Sequence, residues 1–186
     1  MKKSIFLLIS TIALLAFTIV PEGDSISWSS THKLKWNDFK GKKRDNNGEL
    51  AVTDYSISYT IHAFDNDLRI TLKNCFSPNT SWAGDTIHKI LLVHEQGHFD
   101  LAEVYARKMR KAIRRVSFKY DSVSTQFNKI YSKYYDDLNK EQDAYDEETE
   151  FSQSILGQKH WLIKIDSALK SLDTYKDTVI EVKFVK

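Results

Sequence analysis

Leu91-Leu92-Val93-His94-Glu95-Gln96-Gly97-His98-Phe99-Asp100 lies inside a longer stretch whose apolar residues return every three or four positions. Ile87, Ile90, Leu91, His94, His98, Leu101, Tyr105 and Met109 share one stripe, which predicts a long amphipathic helix. It should run from Asp85, a suitable N-cap, to about Arg115. Inside it stands the pattern H-E-x-x-H. Two histidines four apart differ by only about 40° around a helix axis, so their rings leave the same face one turn apart. That spacing lets both reach one tetrahedral zinc ion at about 2 Å. Glu95 leaves the helix at a different angle and suits another task, taking the proton of a water that the metal has made acidic. The chemistry is hydrolysis of a polarised carbonyl, as in a peptide bond. The bland alternative, a pair of packed helix histidines, would require other partners for two buried imidazoles.

A catalytic zinc needs a third protein ligand and keeps its fourth position open. The residues from Phe99 to Tyr105 do not supply the glycine and third histidine that follow such a motif in metzincins. A second helical stretch offers a donor. Phe127, Ile130, Tyr131, Tyr134, Leu138, Gln142, Tyr145 and Thr149 form its stripe, and Asp146 flanks that stripe. Asp146 is therefore the expected third ligand, with Glu147, Glu148, Glu150 and His160 as rivals. A third helix is expected around Gln158–Leu172, where Trp161, Ile165 and Leu169 face together.

Upstream, Leu34–Phe39 reads as a short strand or extended piece and Gly41–Gly48 as a polar, basic loop. Tyr55, Ile57, Tyr59 and Ile61 alternate with polar residues. After an Asp65-Asn66-Asp67 turn, Leu68, Ile70 and Leu72 alternate again, which predicts a β-hairpin. Pro78, Asn79 and Gly84 mark a loop carrying Trp82, and Thr178–Val185 alternates once more as a returning strand. The fold class is α+β: a small, mainly antiparallel sheet beside a helical half with the long H-E-x-x-H helix. Tyr55–Ala63 or Leu68–Leu72 is the expected edge strand for an extended peptide. Trp36, Trp82 and Trp161 read as packing residues. The basic residues from Arg107 to Arg115 and the acidic ones from Asp136 to Glu150 read mostly as solvated helix faces.

Lys2 and Lys3 precede an uncharged run of 16 residues, Ile5–Val20, which Pro21 ends. Residues 1–22 therefore read as a signal peptide or an N-terminal anchor, although Thr18-Ile19-Val20 is a poor cleavage site. Residues 23–186 read as a single domain that is exported, whether periplasmic, secreted or held facing outward by a membrane tether. Without residues 1–20, basic and acidic residues balance at 25 each, so no nucleic-acid partner is expected. Cys75 is the one cysteine, which excludes an intramolecular disulfide and a cysteine-rich metal site.

Three blocks of this sequence resemble a bacterial domain-of-unknown-function family, number 922 in its series, catalogued as predicted secreted zinc-dependent proteases. Leu34-Lys35-Trp36-Asn37-Asp38-Phe39-Lys40-Gly41 is similar to its L-x-W-x-D-F-x-G opening. His94-Glu95-Gln96-Gly97-His98-Phe99-Asp100 with Ala106-Arg107-Lys108 resembles its H-E-Q-x-H-F-D block. Tyr145-Asp146-Glu147-Glu148-Thr149, then Gln158 and Trp161, resembles its Y-D-x-x-T-x-H-G … Q-x-x-W close. The resemblance spans roughly residues 34–165 and implies a zincin-like fold with a metallopeptidase-type site. One departure stands out: Phe151-Ser152 occupies the positions of the pattern's His-Gly. If that histidine is the third ligand or a transition-state donor, the resemblance implies a weakened or non-catalytic protein. If the ligand is Asp146, its site is whole.

The expected function is an exported zinc metallopeptidase acting on a peptide or protein substrate. His94, His98 and Asp146 hold Zn2+ and Glu95 is the general base. The alternatives are a zinc-binding, non-catalytic envelope scaffold and a metal-free protein whose histidines only pack. Tyr145 is an expected core residue that could instead donate to an oxyanion.

Overall fold

The computed structural model describes residues 25–43, 50–64, 67–84 and 89–185. The leader, most of the basic loop, the tip of the hairpin turn and the Asp85 cap lie outside these residues. The alternating segments form the hairpin: β3 (Tyr55–Phe64) pairs along its length with β4 (Asp67–Phe76), from Tyr55 opposite Phe76 to Phe64 opposite Asp67. Two further strands share the other edge of β4. The returning strand β7 (Val179–Val185) pairs antiparallel with its first half, and a two-residue strand, β1 (Ile26–Ser27), with its end. The short β6 (Phe118–Lys119) adds parallel to β7, so the sheet is mixed. Separately, β2 (Ala51–Val52) pairs with β5 (Trp82–Ala83), turning the expected Trp82 loop into a small ladder. Leu68–Leu72 lies between two strands and has no free edge. The edge strand of the hairpin is β3, whose Ile57 carbonyl accepts a hydrogen bond from Tyr131.

Three helices cover this sheet: α1 (Lys89–Ile113), α2 (Val123–Glu148) and α3 (Ile155–Ser171). His94 meets Asp146, His98 meets Gln142 and Tyr105 meets Glu141, so α1 and α2 run in opposite directions. The main core joins Leu68, Ile70 and Leu72 of β4 to Leu101, Met109 and Ile113 of α1, with Phe127, Leu138 and Trp161 from the other helices. Because sheet, α2 and α3 all pack on it, α1 is buried on most sides from Phe99 to Arg110. It is a central helix and not an amphipathic surface one.

That position changes the reading of its charges. Arg107 and Arg110 are buried against Glu103, at 3.0 and 2.9 Å, instead of lying on a solvated face. Arg110 also donates to the carbonyls of Leu72 and Tyr175, binding α1 to the sheet and to the segment after α3. In the acidic run of α2, Glu141 takes Lys164 of α3 at 2.6 Å and also accepts from the Tyr105 hydroxyl of α1.

Leu34–Phe39 forms no strand: Lys35 and Phe39 are extended, but Trp36–Asp38 between them is a 3-10 turn. The Asp38 carboxylate accepts the Lys35 backbone N–H at 2.7 Å, a local bond that competes with strand pairing. Leu34 is nevertheless buried, with Phe76 and Phe99, and its N–H donates to Gln96. Trp82 and Trp161 are fully packed. Trp36 is half-buried against Phe39.

Candidate metal centre

Glycine in the middle of a helix costs about 0.5–1 kcal/mol relative to alanine, so Gly97 needs a reason. A Cβ there would stand 2.1 Å from the Tyr145 hydroxyl. Only glycine lets this tyrosine lie against α1, and that approach brings the last turns of α2 onto the histidines. The Tyr145 ring stacks on His94 at 4.7 Å and meets His98 edge-on at 4.9 Å. Its hydroxyl donates to the His94 carbonyl and accepts from Gln158, and burial pushes its pKa up. Both of its polar roles are structural, so the oxyanion alternative for Tyr145 falls away and the core reading stands.

Asp146, the next residue, enters the space the rings leave. His94 Nε2, His98 Nε2 and Asp146 Oδ1 form a triangle with all three sides 3.1 Å. Among the described residues these three form a His/Cys/Asp/Glu group able to share one ion. The rivals lie elsewhere. Glu148 accepts from Trp161 Nε1 at 2.8 Å, and Glu147, Glu150 and His160 are exposed.

Two glutamines decide what the triangle can hold. Gln142 donates through Nε2 to Tyr55 Oη and to the His98 carbonyl, so its Oε1 must face His98 Nδ1, 2.7 Å away. Gln158 donates to Tyr145, so its Oε1 faces His94 Nδ1 at 3.2 Å. Thr149, whose hydroxyl donates to the Tyr145 carbonyl, offers His94 Nδ1 a second acceptor at 3.4 Å. Each Nδ1 therefore carries its hydrogen, and each neutral ring turns the lone pair of Nε2 into the triangle. Two lone pairs and a carboxylate oxygen 3.1 Å apart repel unless something positive joins them.

A proton can meet part of that demand. Burial works against charge on His98, but Asp146 and Glu95 outweigh it and the imidazole pKa is raised. Burial likewise disfavours the Asp146 carboxylate, yet the imidazoles overcome it and hold the carboxyl well below its usual range. A metal ion would meet the demand more fully: for a tetrahedral ion such as zinc, with bonds of about 2.0–2.1 Å, the edge is about 3.3–3.4 Å. The donor set fits. Asp146 is 31% exposed, against 5% for His94, so the triangle faces solvent on the Asp146 side.

Glu95 is 3% exposed, and its Oε2 has no hydrogen-bond partner among the described residues. A buried carboxylate oxygen without a donor points to a ligand or a reacting group nearby. The remaining polar residues of the motif have other work. Gln96 Oε1 accepts from Leu34, and Asp100 accepts from Gln96, Lys33 and Trp28. They hold the N-terminal segment against α1. The two glutamines of the metal centre were not expected as site residues. The signal available was Gln142, an amide on an otherwise apolar stripe one turn before Asp146.

Beyond Asp146 the chain leaves α2 through Glu150, Phe151 and Ser152, all in the left-handed region with φ of 51°, 52° and 73°. Phe151 is 65% exposed and Ser152 is buried with an unpartnered hydroxyl.

A family model described as bacterial protein of unknown function (DUF922) matches residues 19–153. No curated protein and no solved structure matches the chain.

Proposed function

Because the chain belongs to the bacterial family DUF922, whose description leaves its function open, we propose a function from the site itself: a zinc-dependent metallopeptidase with a zincin-like arrangement. The observation that carries it is the triangle of two lone pairs and a carboxylate, fixed by Gln142 and Gln158, with the unpartnered Oε2 of Glu95, whose charge acts on His98. His94, His98 and Asp146 would hold the metal. When bound, zinc supplies Lewis-acid polarisation of the substrate carbonyl and acidifies water. Gln142 and Gln158 keep both rings in the ligating tautomer. Glu95 Oε2 would take the proton of the attacking water and return it to the nitrogen of the leaving amine. The uncharged run behind Lys2 and Lys3 supports export, with the domain acting outside the cytoplasm on a peptide or protein. Among the described residues no helix is long and apolar enough to cross a membrane.

Phe151 favours a second reading, a zinc-binding scaffold without turnover, since an exposed phenyl ring offers the site no polar group. One experiment separates the two. Wild type and Glu95→Gln are assayed for zinc content and for cleavage of an unstructured protein. The peptidase reading expects one zinc in each and chelator-sensitive cleavage by wild type alone. Zinc without cleavage in either supports the scaffold. Cleavage by both excludes Glu95 as the base. No zinc in either leaves only packing histidines.

A further inference from the structure

Five of the ten large apolar side chains that stand exposed among the described residues are Phe151, Ile155, Leu156, Leu162 and Ile163. Half of the total thus falls within one short segment, directly after Asp146. Scattered exposed apolar residues need no explanation, but a concentration beside a site marks a binding surface. Next to them lies a recess of about 240 Å³ between Ile90 and Val93 of α1 and Ile155, Gln158, Lys159 and Leu162 of α3. Gln158 spends its amide on His94 and Tyr145, so it lends the recess mainly its methylene groups. One wall reaches the candidate metal centre: Gln158 is the hydrogen-bond partner of the His94 ring.

We infer that this recess is the subsite that selects substrate, and that it takes one large apolar side chain of an extended or unfolded polypeptide. This rests on the metallopeptidase reading and names its substrate class. The recess is smaller than the ~300 Å³ at which small-molecule pockets begin, and its size suits a single side chain. Its concavity matters as well. A lipid surface would need only an apolar face and would gain nothing from a hollow that one side chain can fill. The belt of Phe151, Ile155, Leu156 and Ile163 receives apolar neighbours of the selected residue, so the substrates are segments that a folded protein keeps buried.

The test uses zinc-loaded Glu95→Gln protein and labelled Gly/Ser-rich peptides in which one leucine is moved along the sequence. Fluorescence anisotropy measures binding, and wild-type protein is assayed for cleavage of the same peptides. At least one leucine position should bind about tenfold tighter than its serine counterpart, the effect of burying one such side chain. Wild type should cleave that peptide with kcat/KM raised by a similar factor. Ile155→Lys and Leu162→Glu, both at exposed positions, should remove the preference while leaving zinc content unchanged. Equal binding of leucine and serine peptides overturns the inference, as does a preference that survives both substitutions. Vesicles of phosphatidylcholine and phosphatidylglycerol provide the last arm. If vesicle binding is lost in the variants and peptides are never discriminated, the surface belongs to lipid and the inference is overturned. Leucine-dependent binding with no cleavage by wild type supports the subsite and removes the hydrolytic reading instead.

Discussion

Helix α1 carries two buried polar clusters, one at His94–His98 and one at Glu103–Arg110, and they are satisfied in different ways. The second is closed on itself: Glu103 faces two guanidinium groups, and the remaining Arg110 donors end on backbone carbonyls. Asp173, 3.8 Å from Arg107, adds the second carboxylate, so two acids face two cations within the chain. The first cluster is left open. Its imidazoles are held by glutamines at Nδ1 but point lone pairs at a carboxylate, and Glu95 keeps an unpaired oxygen. One helix thus contains a structural tie and, one to two turns away, an arrangement that makes chemical sense only with a positive partner. Burial alone does not identify a functional site; the unmet demand does.

The comparison can be broken most strongly at the open cluster. His98→Ala should abolish stoichiometric zinc uptake in isothermal titration calorimetry while the far-UV circular dichroism stays that of wild type. Retained uptake would show that the metal, if any, sits elsewhere. At the closed cluster the damage should instead be to stability. Glu103→Gln strands two buried cations and should cost about 3–5 kcal/mol in urea unfolding, with no direct effect on zinc ligation. A loss under about 1 kcal/mol would show that the tie carries little.

Smaller effects sharpen the same contrast. Gln142→Leu removes the acceptor that fixes the His98 tautomer, and zinc affinity should fall about 10–100-fold with the three ligands intact. Proton competition has a definite sign. Zinc must displace the proton from His98, whose pKa lies above the ordinary imidazole value. Affinity should be full at alkaline pH and fall about tenfold per unit as pH drops through that raised pKa. A pH-independent Kd between pH 5 and 8 would contradict it. Smallest of all, Ser152→Gly relieves a left-handed serine with a buried, unpartnered hydroxyl and should stabilise the fold by about 1 kcal/mol in thermal unfolding.

Much of this was legible before any coordinates. Helical spacing in α1 puts two imidazoles on one face, and the stripe of α2 brings Asp146 to them. Period-2 alternation gives the hairpin and the returning strand. Elements decided by contact were not legible. Leu34–Phe39 looks extended until Asp38 turns back on Lys35. Arg107 and Arg110 look like solvated charges until α3 and the segment after it close over α1. The roles of Gln142 and Gln158 depend on which way an amide faces, and that is set by Tyr55, Tyr145 and the His98 carbonyl. The need for glycine at Gly97 follows from the tyrosine that presses on it.

X-ray absorption spectroscopy on zinc-loaded protein tests the central claim most directly, because it reads the ligands themselves. The account predicts a zinc shell of two imidazole nitrogens and carboxylate oxygen at about 2.0–2.1 Å, losing its protein oxygen donor in Asp146→Ala. A shell without imidazole, or one unchanged by that substitution, would contradict it.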